Sequence, residues 1–546
     1  MTSTALLAFG HALVALALVP FLYLRLKAYL LFFQQEEYDG GRFVRWLRRA
    51  RARDRRASLA AGIAGVLVIA TPPEAELLHA LADALILAGL GLGMRLSRRP
   101  LGRAKKPLVM TARARRILAL ALLFALALGI LVWVFVGVGS PLAPALATLV
   151  LTQIAPYCLV IADYGLKPLE RRIRARYREE ARAKLKALDP LVIGITGSYG
   201  KTSTKHILAH ILESAAPTLA TPGSVNTEMG ISRIVREELA PHHRYFIAEM
   251  GAYGPGSIAR LCRLAPPKLG IITGVGVAHY ERFGDIDTVF DAKFELADAV
   301  AAAGGCVIVI GDAVPGKRLR ARLLRDGAHL RLIGNVAGSA LRLGKAHQTR
   351  AGLELEVEGE GISATLLKVP LYGLHQAHNV LAAVAAALEL GLPLDMIRAA
   401  LATTPQIRHR LEVVTRGGIT VIDDAYNANP EGFAAALALL DSLVGDGGRR
   451  ILVTPGMVEL GARHEAEHAR LGALAAQHAD IALVVAPARI TSFVDAFEGA
   501  MPPGASLERF DNQAAAEAWV NAHASAGDVV LFENNLPDLY EMRPVF

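Results

Sequence analysis

The chain has 546 residues, enough for three or four domains, and 53% of them are hydrophobic. Its net charge of +9 is unevenly divided, because residues 1–190 contain 28 Lys and Arg against 12 Asp and Glu, and the remainder is acidic. This division argues against a nucleic-acid surface on the last two thirds of the chain. Three cysteines without regular spacing, Cys158, Cys262 and Cys306, argue against both a disulfide framework and a zinc site.

The first third contains four apolar runs long enough to cross a bilayer, which requires about 20 residues. These predicted spans are 6–24, 77–94, 117–138 and 142–162, and a shorter run at 57–70 is either a fifth span or a re-entrant segment. Basic loops separate them, with eight arginines in 42–56 and nine Lys and Arg in 95–116. Since such loops stay in the cytoplasm, five spans with the N-terminus outside fit every loop and place the remaining two thirds in the cytoplasm. Four spans are the alternative.

These spans predict a multi-pass protein of the cytoplasmic (inner) membrane. Several polar residues lie within or beside them. Three acidic residues in 36–39 lie beside the first arginine-rich loop, where they either pair with its arginines or contact a lipid headgroup or substrate. His79 and Asp83 lie four residues apart on one face of a predicted span and are functional candidates, although their place near its outer end equally allows contact with water. The Arg- and Glu-rich helix predicted over 167–186 is interpreted as a stalk on anionic lipid, or else as a partner-binding helix.

A buried-strand pattern at Leu191–Thr196 is followed by a glycine-rich turn, GSYG, and by a helix that begins KTST. Strand, glycine-rich turn and helix form the setting of a phosphate-binding loop, in which backbone amides and the helix dipole attract an anion. Lys201 would reach the β- and γ-phosphates of a nucleotide, and Thr202 would ligate Mg²⁺. The common form of the motif has a glycine five residues before Gly200, where Ile195 stands here, so this loop has a shorter spacing.

The short spacing Gly-x-x-Gly-Lys-Thr and the segments that follow it resemble the Mur ligase family, in the family's order. These segments are TPGSVNTEMGIS at 221–232, FIAEMGAYGPGSI at 246–258, ITGVGVAHYERFGDIDTVFDAKFEL at 272–296, YGLHQAHNVLAAVAAA at 372–387, RHRLEVV at 408–414, VIDDAYNANP at 421–430 and GMVELGARHEAEH at 456–468. DDAYNANP in particular is similar to the D-alanyl-D-alanine-adding (MurF-like) branch. The resemblance runs from about Leu191 to the C-terminus.

The resemblance implies an ATP-dependent amide ligase, which activates a carboxylate as an acyl phosphate and captures it with an amine. Both steps concentrate negative charge, so positioning and cations supply most of the rate. The resemblance implies two Mg²⁺ sites with a carbamylated Lys293, because a carbamate offers the oxygen ligand that Mg²⁺ prefers. The predicted metal ligands are Thr202, Glu249, His279 and Lys293. The predicted catalytic residues are Lys201, Glu249, His279, Lys293 and Arg410.

The same resemblance implies contacts to the nucleotide and to the substrates. The predicted ATP-binding residues are Gly197, Ser198, Gly200, Lys201, Thr202, Ser203, His375, Asn379, Arg410 and Asp424. Within this set His375 and Asn379 would face adenine, Arg410 the γ-phosphate and Asp424 the ribose. The predicted substrate residues are Asn226, near the acyl donor, and Tyr426, Asn427 and Asn429 in the closing interface. Because the C-terminal groups reach ATP only when the last domain swings in, we expect a hinge near 403–406.

Three departures from the family pattern bear on the substrates. Membrane spans and a stalk stand in place of the N-terminal domain that grips a UDP-sugar, so the carboxylate donor is expected to be lipid-linked or not a UDP-sugar at all. Gly456 stands where an acidic residue is expected before Met457. Glu533, Asn534 and Asn535 replace a Lys-Gly-Ser-Arg type segment after the last strand, which should change how a carboxylate-bearing amine is held.

The sequence thus predicts an α-helical transmembrane N-terminal domain followed by α/β structure, with a Mur-ligase-like P-loop ATPase central domain and a Rossmann-like C-terminal domain. The predicted boundaries are 1–163 for the membrane domain, 164–189 for the stalk helix, 190–403 for the central domain and 404–546 for the C-terminal domain. The leading hypothesis is a membrane-anchored ligase that joins an envelope carboxylate to an amino acid or peptide in peptidoglycan or related cell-wall material, with membrane lipid but no nucleic acid as a partner. A capsule-type poly-amino-acid synthetase and a non-catalytic nucleotide-binding scaffold are the alternatives.

Overall fold

A computed structural model describes residues 3–536 except 73, 105, 277–284, 426–428 and 459. By backbone contacts the chain falls into two compact units, one up to Ile173 and the other from Arg174 to Asn535. In the described part of the first unit, all regular structure is helical. Its helices are α1 (Ser3–Gln35), α2 (Gly40–Arg49), α3 (Arg56–Ala70), α4 (Glu76–Arg103), α5 (Ala112–Val136) and the first part of α6 (Ala143–Leu188).

Four of these helices, α1, α4, α5 and α6, are long and apolar enough to cross a membrane by length and composition. They contain the four long apolar runs predicted from the sequence. Helix α3 has 15 residues and is shorter than these four helices, so a fifth span stays a prediction. Helix α4 packs against both α1 and α3, and aromatic side chains such as Phe21, Phe32 and Trp46 are buried in the core of the unit.

Charged side chains of the first unit are paired with one another. Arg25 and Asp54 are both buried, and Arg25 Nη2 lies 2.7 Å from Asp54 Oδ2. Asp39 caps α2 by accepting a hydrogen bond from the backbone N–H of Arg42 at 2.8 Å, and Arg42 also pairs with Glu37 at 2.9 Å. The acidic segment 36–39 therefore contacts its neighbouring arginine, which is the simpler of its two predicted roles.

The two polar residues predicted on one face of a span are buried in the described structure. His79 is 2% exposed and Asp83 is 3% exposed. His79 Nε2 lies 3.2 Å from Thr71 Oγ1, and Asp83 Oδ2 lies 3.8 Å from His11 Nε2. Both side chains thus face other helices or loops of the unit. They are not exposed at the end of the predicted span.

The second unit begins with the end of α6, which continues without a break from the last predicted span to Leu188. The segment predicted as a stalk is therefore part of a 46-residue helix. Ala181 and Leu185 near its end are buried in an apolar core of the second unit. Arg236 Nε donates to Glu180 at 2.7 Å, and this pair fixes the end of α6 against the second unit.

The first sheet of the second unit has nine strands and seven described helices around it. The strands are β1 (Leu191–Thr196), β2 (Thr218–Ala220), β3 (Tyr245–Glu249), β4 (Leu269–Ile272), β5 (Cys306–Ile310), β6 (Leu330–Ile333), β7 (Leu341–Thr349), β8 (Gly352–Gly359) and β9 (Ile362–Val369). The helices are α7 (Lys201–Glu213), α8 (Glu228–Glu237), α9 (Ser257–Leu264), α10 (Ile286–Ala302), α11 (Gly316–Asp326), α12 (Gln376–Glu389) and α13 (Leu394–Ala402).

The strand order of this sheet is β2-β3-β1-β4-β5-β6-β7-β8-β9. All pairs from β2 to β7 are parallel, and only β8 and β9 are antiparallel to their neighbours. One apolar core joins the sheet to α7 and α12, and a second joins it to α8, α9 and α10. Strand β1 lies between these layers, which explains its continuous apolar sequence, because a parallel strand covered on both faces has no solvent side.

The second sheet has six strands and four described helices. The strands are β10 (Glu412–Arg416), β11 (Ile419–Asp424), β12 (Arg450–Thr454), β13 (Ile481–Val485), β14 (Ser506–Phe510) and β15 (Val529–Glu533), and the helices are α14 (Pro430–Leu443), α15 (His464–His478), α16 (Thr491–Ala500) and α17 (Gln513–His523). The order is β10-β11-β15-β12-β13-β14, with β10 alone antiparallel. The last strand thus inserts between β11 and β12. The predicted fold class, a helical N-terminal part followed by two α/β parts, is confirmed.

Candidate active site

The glycine-rich turn joins the end of β1 to the start of α7. Gly200 has φ +78°, in the left-handed region that favours glycine. A Cβ at this position would collide with the side-chain oxygen of Asn379. Ser198 Oγ donates to the carbonyl of Gly276 at 3.1 Å and so ties the turn to the segment after β4. The turn therefore places the N-terminus of α7 at the carboxyl edge of the sheet, where backbone amides can bind an anion.

Lys201 is the first residue of α7 and folds back over the turn. Its Nζ donates to the carbonyl of Gly197 at 2.7 Å. Burial lowers the pKa of Lys201 to about 8, against the opposing effect of the nearby Glu249 carboxylate. A lysine with a lowered pKa beside a glycine turn gains from the arrival of a polyanion, because the added negative charge restores its ammonium form.

Glu249 ends β3, and its backbone lies opposite Ile195 on β1, directly before the glycine turn. Thr202 Oγ1 donates to Glu249 Oε2 at 2.9 Å, and Asn226 Nδ2 donates to Oε1 at 3.1 Å. Burial would raise the pKa of Glu249, but the ammonium groups of Lys205 and Lys201 outweigh it and lower that pKa. The structure therefore brings together a hydroxyl, a carboxylate and a carboxamide that were predicted from separate motifs.

Lys205 belongs to this cluster and was not predicted. Its Nζ donates to Glu249 Oε2 at 2.9 Å and to the carbonyl of Gly223 at 2.5 Å, and the residue is 3% exposed. Its position four residues after Lys201 on the same helix was the available signal, because residues at this spacing lie on one helix face.

Lys293 lies on α10 and is 3% exposed. Burial lowers the pKa of its amine well below the ordinary value, and the neighbouring positive charge of Lys201 lowers it further. Lys293 is thus close enough to the phosphate loop to interact with Lys201, and its neutral amine is favoured. His279, predicted beside it as a metal ligand, lies outside the described residues.

Arg410 comes from the start of the second sheet and reaches the phosphate loop. Its Nη2 lies 3.4 Å from Thr202 Oγ1. The residues on either side, His409 and Leu411, have φ of +59° and +49°. Such conformations are costly for residues other than glycine and persist only where surrounding contacts hold them, often at functional sites. Here His409 Nδ1 lies 2.7 Å from the Asp423 carboxylate.

The linker before Arg410 contacts α7 directly. His206 Nε2 lies 3.0 Å from the carbonyl of Pro405, and His210 Nε2 lies 3.0 Å from Thr403 Oγ1. The segment 403–406, predicted as a hinge, is therefore attached to the same helix that carries the phosphate loop. Its motion stays a prediction.

The remaining predicted nucleotide residues are distributed around the turn. Asn379 is buried on α12 and accepts a hydrogen bond from Thr204 Oγ1 at 3.3 Å. His375, immediately before α12, is exposed, and Ser203 is buried within α7. Asp424 ends β11 and is half-buried, with Oδ1 accepting from the backbone N–H of Leu411 at 3.2 Å. Their roles toward adenine and ribose stay predictions.

Of the predicted substrate residues, the structure describes two. Asn226 binds Glu249, and Tyr253 donates to Asn226 Oδ1 at 2.9 Å. Asn429 caps α14, since its Oδ1 accepts a hydrogen bond from the backbone N–H of Gly432 at 2.9 Å. That oxygen is engaged in the cap. Tyr426 and Asn427 lie outside the described residues.

Two of the departures from the family pattern contact each other. Asn534 Nδ2 donates to the carbonyl of Gly456 at 2.6 Å. Gly456 has φ +70°, and a Cβ there would lie 2.7 Å from both His468 Nε2 and Ile490 Cγ2. The packing of His468 therefore excludes a side chain at position 456. The carbonyl of this glycine accepts the hydrogen bond from Asn534.

Comparison with known proteins identifies both parts of the second unit. Residues 195–387 match the Mur ligase middle domain, and residues 409–533 match the Mur ligase, glutamate ligase domain. The UDP-N-acetylmuramoyl-tripeptide–D-alanyl-D-alanine ligase of Mycobacterium leprae is 33% identical over 66% of this chain and 74% of its own. The corresponding ligase of Mycobacterium tuberculosis H37Rv is 38% identical over 54% of this chain, which spans 58% of that relative's length.

Solved structures show the same likeness. MurF from Acinetobacter baumannii has a TM-score of 0.58 at 26% identity and is matched over 66% of this chain and 77% of its own. MurF ligase from Thermotoga maritima, solved in complex with ADP, has a TM-score of 0.57 at 26% identity over 68% and 82%. The ordered motifs, the family-model matches and these relatives agree. The chain therefore belongs to the Mur ligase family of ATP-dependent carbon–nitrogen ligases and is MurF-like.

Proposed function

We propose that this chain is a membrane-anchored amide ligase that uses ATP to activate a cell-envelope carboxylate as an acyl phosphate and then joins it to an amine. The observation that carries the proposal is the convergence of Lys201, Thr202 and Glu249 at the phosphate loop with Arg410 of the second sheet. In such a reaction negative charge accumulates on the transferred phosphoryl group, and preorganised cations stabilise it. Lys201 from α7 and Arg410 from the segment before β10 supply two cations at the turn.

The residues present fit Mg²⁺ at the phosphate loop. Thr202 and Glu249 offer hydroxyl and carboxylate oxygens, the ligands that Mg²⁺ prefers, and Ser224 Oγ lies 3.4 Å from Thr202 Oγ1. When bound, Mg²⁺ would neutralise the β- and γ-phosphates. Lys205 contributes a positive charge to the same carboxylate and so keeps Glu249 ionised.

Lys293 fits the role of a carbamylated lysine. The reaction joins a neutral amine to CO₂, releases one proton and leaves an anionic carbamate. Burial beside Lys201 favours the neutral amine that this reaction requires. The carbamate would then serve a second Mg²⁺ as an oxygen ligand, a role that the positively charged form of Lys293 cannot fill.

The substrates follow from the relatives by chemical class. The curated relatives are named for UDP-N-acetylmuramoyl-tripeptide and D-alanyl-D-alanine, which are a peptide carboxylate and a dipeptide amine. We propose the same classes here, at the inner face of the cytoplasmic membrane. Four helices long enough to span a bilayer precede the ligase domains, and the family matches begin at residue 195. This arrangement supports a donor that is presented at the membrane, and a lipid-linked carboxylate is the form that we propose.

The test measures phosphate release by the full chain in lipid nanodiscs. ATP and Mg²⁺ are supplied with D-alanyl-D-alanine and either soluble UDP-N-acetylmuramoyl-tripeptide or an envelope lipid extract. We expect release only when both a donor and an amine are present, and more with the lipid extract. Release that depends on neither would contradict the ligase, and no release with any donor would favour the scaffold. Mass spectrometry of the product separates a single adduct from the ladder that a poly-amino-acid synthetase would make.

A further inference from the structure

Tyr253 lies in the loop between β3 and α9, four residues after Glu249, and it is 39% exposed. Its hydroxyl donates to Asn226 Oδ1 at 2.9 Å, and Asn226 Nδ2 donates to Glu249 Oε1 at 3.1 Å. The phenol thus reaches a predicted Mg²⁺ ligand through a single intervening side chain. Tyr253 was not among the site residues predicted from the sequence.

The direction of these two hydrogen bonds follows from the groups involved. Burial would raise the pKa of Glu249, but the ammonium groups of Lys205 and Lys201 lower it, so the carboxylate is ionised and can only accept. Asn226 must then turn its NH₂ group toward Glu249, and its carbonyl oxygen faces the other way and needs a donor. The Tyr253 hydroxyl is that donor. A half-turn of the amide would lose both hydrogen bonds and bring Oδ1 against the carboxylate.

The packing around Asn226 defines where this amide lies. The backbone N–H of Gly251 donates to the backbone carbonyl of Asn226 at 2.9 Å, so the two loops are held together. A Cβ at Gly251 would lie 2.8 Å from Asn226 Oδ1 and 2.9 Å from its Cγ. Packing therefore fixes the place of the amide, and the hydrogen bond from Tyr253 fixes the direction that it faces.

The carboxylate of Glu249 is held at both oxygens. Oε2 accepts from Thr202 Oγ1 and from Lys205 Nζ at 2.9 Å each, while Oε1 accepts from Asn226. Hydrogen bonds of this kind orient a metal-binding carboxylate and tune its affinity for the metal. We propose that Tyr253 is a positioning residue, which acts through Asn226 to orient Glu249 for Mg²⁺. This inference rests on the proposed ligase function and adds a residue beyond the metal ligands themselves.

Titration of the full chain in nanodiscs with a fluorescent ADP analogue tests this role without turnover. The affinity is measured in excess EDTA and at increasing Mg²⁺, which gives a metal-free affinity and a half-saturating Mg²⁺ concentration. Tyr253→Phe keeps the ring and removes only the hydroxyl. We expect it to raise the half-saturating Mg²⁺ concentration about three- to tenfold, as the loss of one hydrogen bond implies. The affinity in EDTA should not change, whereas a variant that merely loosened the loop would lower it too.

A double-mutant cycle shows whether the hydroxyl acts through the amide. Asn226→Ala should raise the half-saturating Mg²⁺ concentration about 10- to 100-fold, because it removes a direct partner of the carboxylate. Adding Tyr253→Phe to Asn226→Ala should then have no further effect. Tyr177→Phe is the matched control and should behave like the unmodified chain. Its ring, which this change retains, carries the contact with Arg236, whose guanidinium carbon lies 4.0 Å from the ring centre.

Several outcomes would overturn the positioning role of Tyr253. These are an unchanged Mg²⁺ requirement in Tyr253→Phe, an equal loss of affinity in EDTA, additive effects of the two changes, and nucleotide binding by the unmodified chain that does not respond to Mg²⁺. A chain that releases phosphate normally but shows any of these results refutes only the positioning role. A chain that shows the coupled effect on Mg²⁺ but never releases phosphate refutes only the ligase.

Discussion

Arg410 Nη2 lies 3.4 Å from Thr202 Oγ1, although the two residues are 208 positions apart. Arg410 lies just before β10 of the second sheet, and Thr202 lies on α7, which packs on the first sheet. The contact places a guanidinium group from the second sheet against the hydroxyl predicted to bind Mg²⁺. The residues on either side of this arginine, His409 and Leu411, have left-handed backbone conformations. The active site proposed here therefore combines groups from both α/β parts of the second unit.

Replacing Arg410 with Ala should lower the turnover of ATP about 10²- to 10³-fold, as the loss of one preorganised charge at the reacting centre does. The rate of phosphate release measures this effect. Arg408→Ala is the matched control, because Arg408 is exposed two residues earlier in the same segment. Similar losses in both variants would show that the segment, and not the contact with Thr202, matters.

Replacing Lys293 with Ala should abolish phosphate release if the residue carries a carbamate. In addition, raising the bicarbonate concentration should raise the activity of the unmodified chain, because carbamylation consumes CO₂. Lys268→Ala, a change at an exposed lysine, should retain both activity and the bicarbonate response. A Lys293→Ala chain that keeps its turnover would show that the reaction does not need a carbamate and would leave a single-metal ligase as the explanation.

Gly200→Ala should weaken ATP binding severely. The left-handed φ of +78° costs an L-residue about 1–2 kcal/mol, and the added methyl group collides with Asn379. Fluorescent-nucleotide titration provides the affinity. Gly254→Ala is the control, because a Cβ there meets nothing within 4 Å and its φ lies outside the left-handed region. Unchanged affinity in Gly200→Ala would mean that the glycine turn does not bind phosphate.

His468 should make the second sheet less stable in mild acid. Burial lowers its pKa from 6.5 to about 4, while its Nε2 accepts from the backbone N–H of Met457 at 2.9 Å. The unfolded chain binds the proton at a higher pH than the folded chain, so the stability present above pH 6.5 is lost as the pH falls toward 4, by about 3 kcal/mol.

The melting temperature between pH 7 and pH 4.5 measures this contribution of His468. The loss on acidification should be smaller in His468→Gln than in the unmodified chain, and it should persist in His523→Gln, where the histidine is exposed. Identical pH profiles for all three chains would show that His468 does not control the acid response.

Asp54→Ala should destabilise the first unit by about 3–5 kcal/mol, because it removes the carboxylate partner of the buried Arg25. Survival of monodisperse protein after heating in detergent measures the effect. The double change Arg25→Met and Asp54→Leu should recover much of it, since no buried charge remains. Glu37→Gln serves as the control, because that carboxylate is mostly exposed. Equal survival of Asp54→Ala and Glu37→Gln would refute a stabilising role for the pair.

The sequence alone predicted the elements whose signals are local. The apolar run at 191–196, the glycine turn and Lys201 are consecutive, so strand, loop and helix could be assigned together. Glu249 was predicted from the resemblance of the segment 246–258 to the Mur ligase family. Lys205 was missed because its partner is 44 residues away, and only the pairing of β1 with β3 brings them together.

The complete burial of Glu533 could not be predicted from the sequence. It depends on the insertion of the last strand between β11 and β12, which no local pattern encodes. The same holds for Gly456, whose requirement for glycine comes from His468 packed against it. The packing of the predicted stalk could not be predicted either, because an Arg- and Glu-rich sequence is typical of a solvated helix. Ala181 and Leu185 of this helix are nevertheless buried.

Helix α7 follows the phosphate loop directly, and its His206 and His210 contact the linker at Pro405 and Thr403. An α-helix is stiff along its axis, so a displacement at one end is passed to the other end. A movement of the phosphate loop on loading or release of the nucleotide would therefore be passed through α7 to Thr403 and Pro405. The predicted swing of the C-terminal domain would then be coupled directly to the loading and release of the nucleotide.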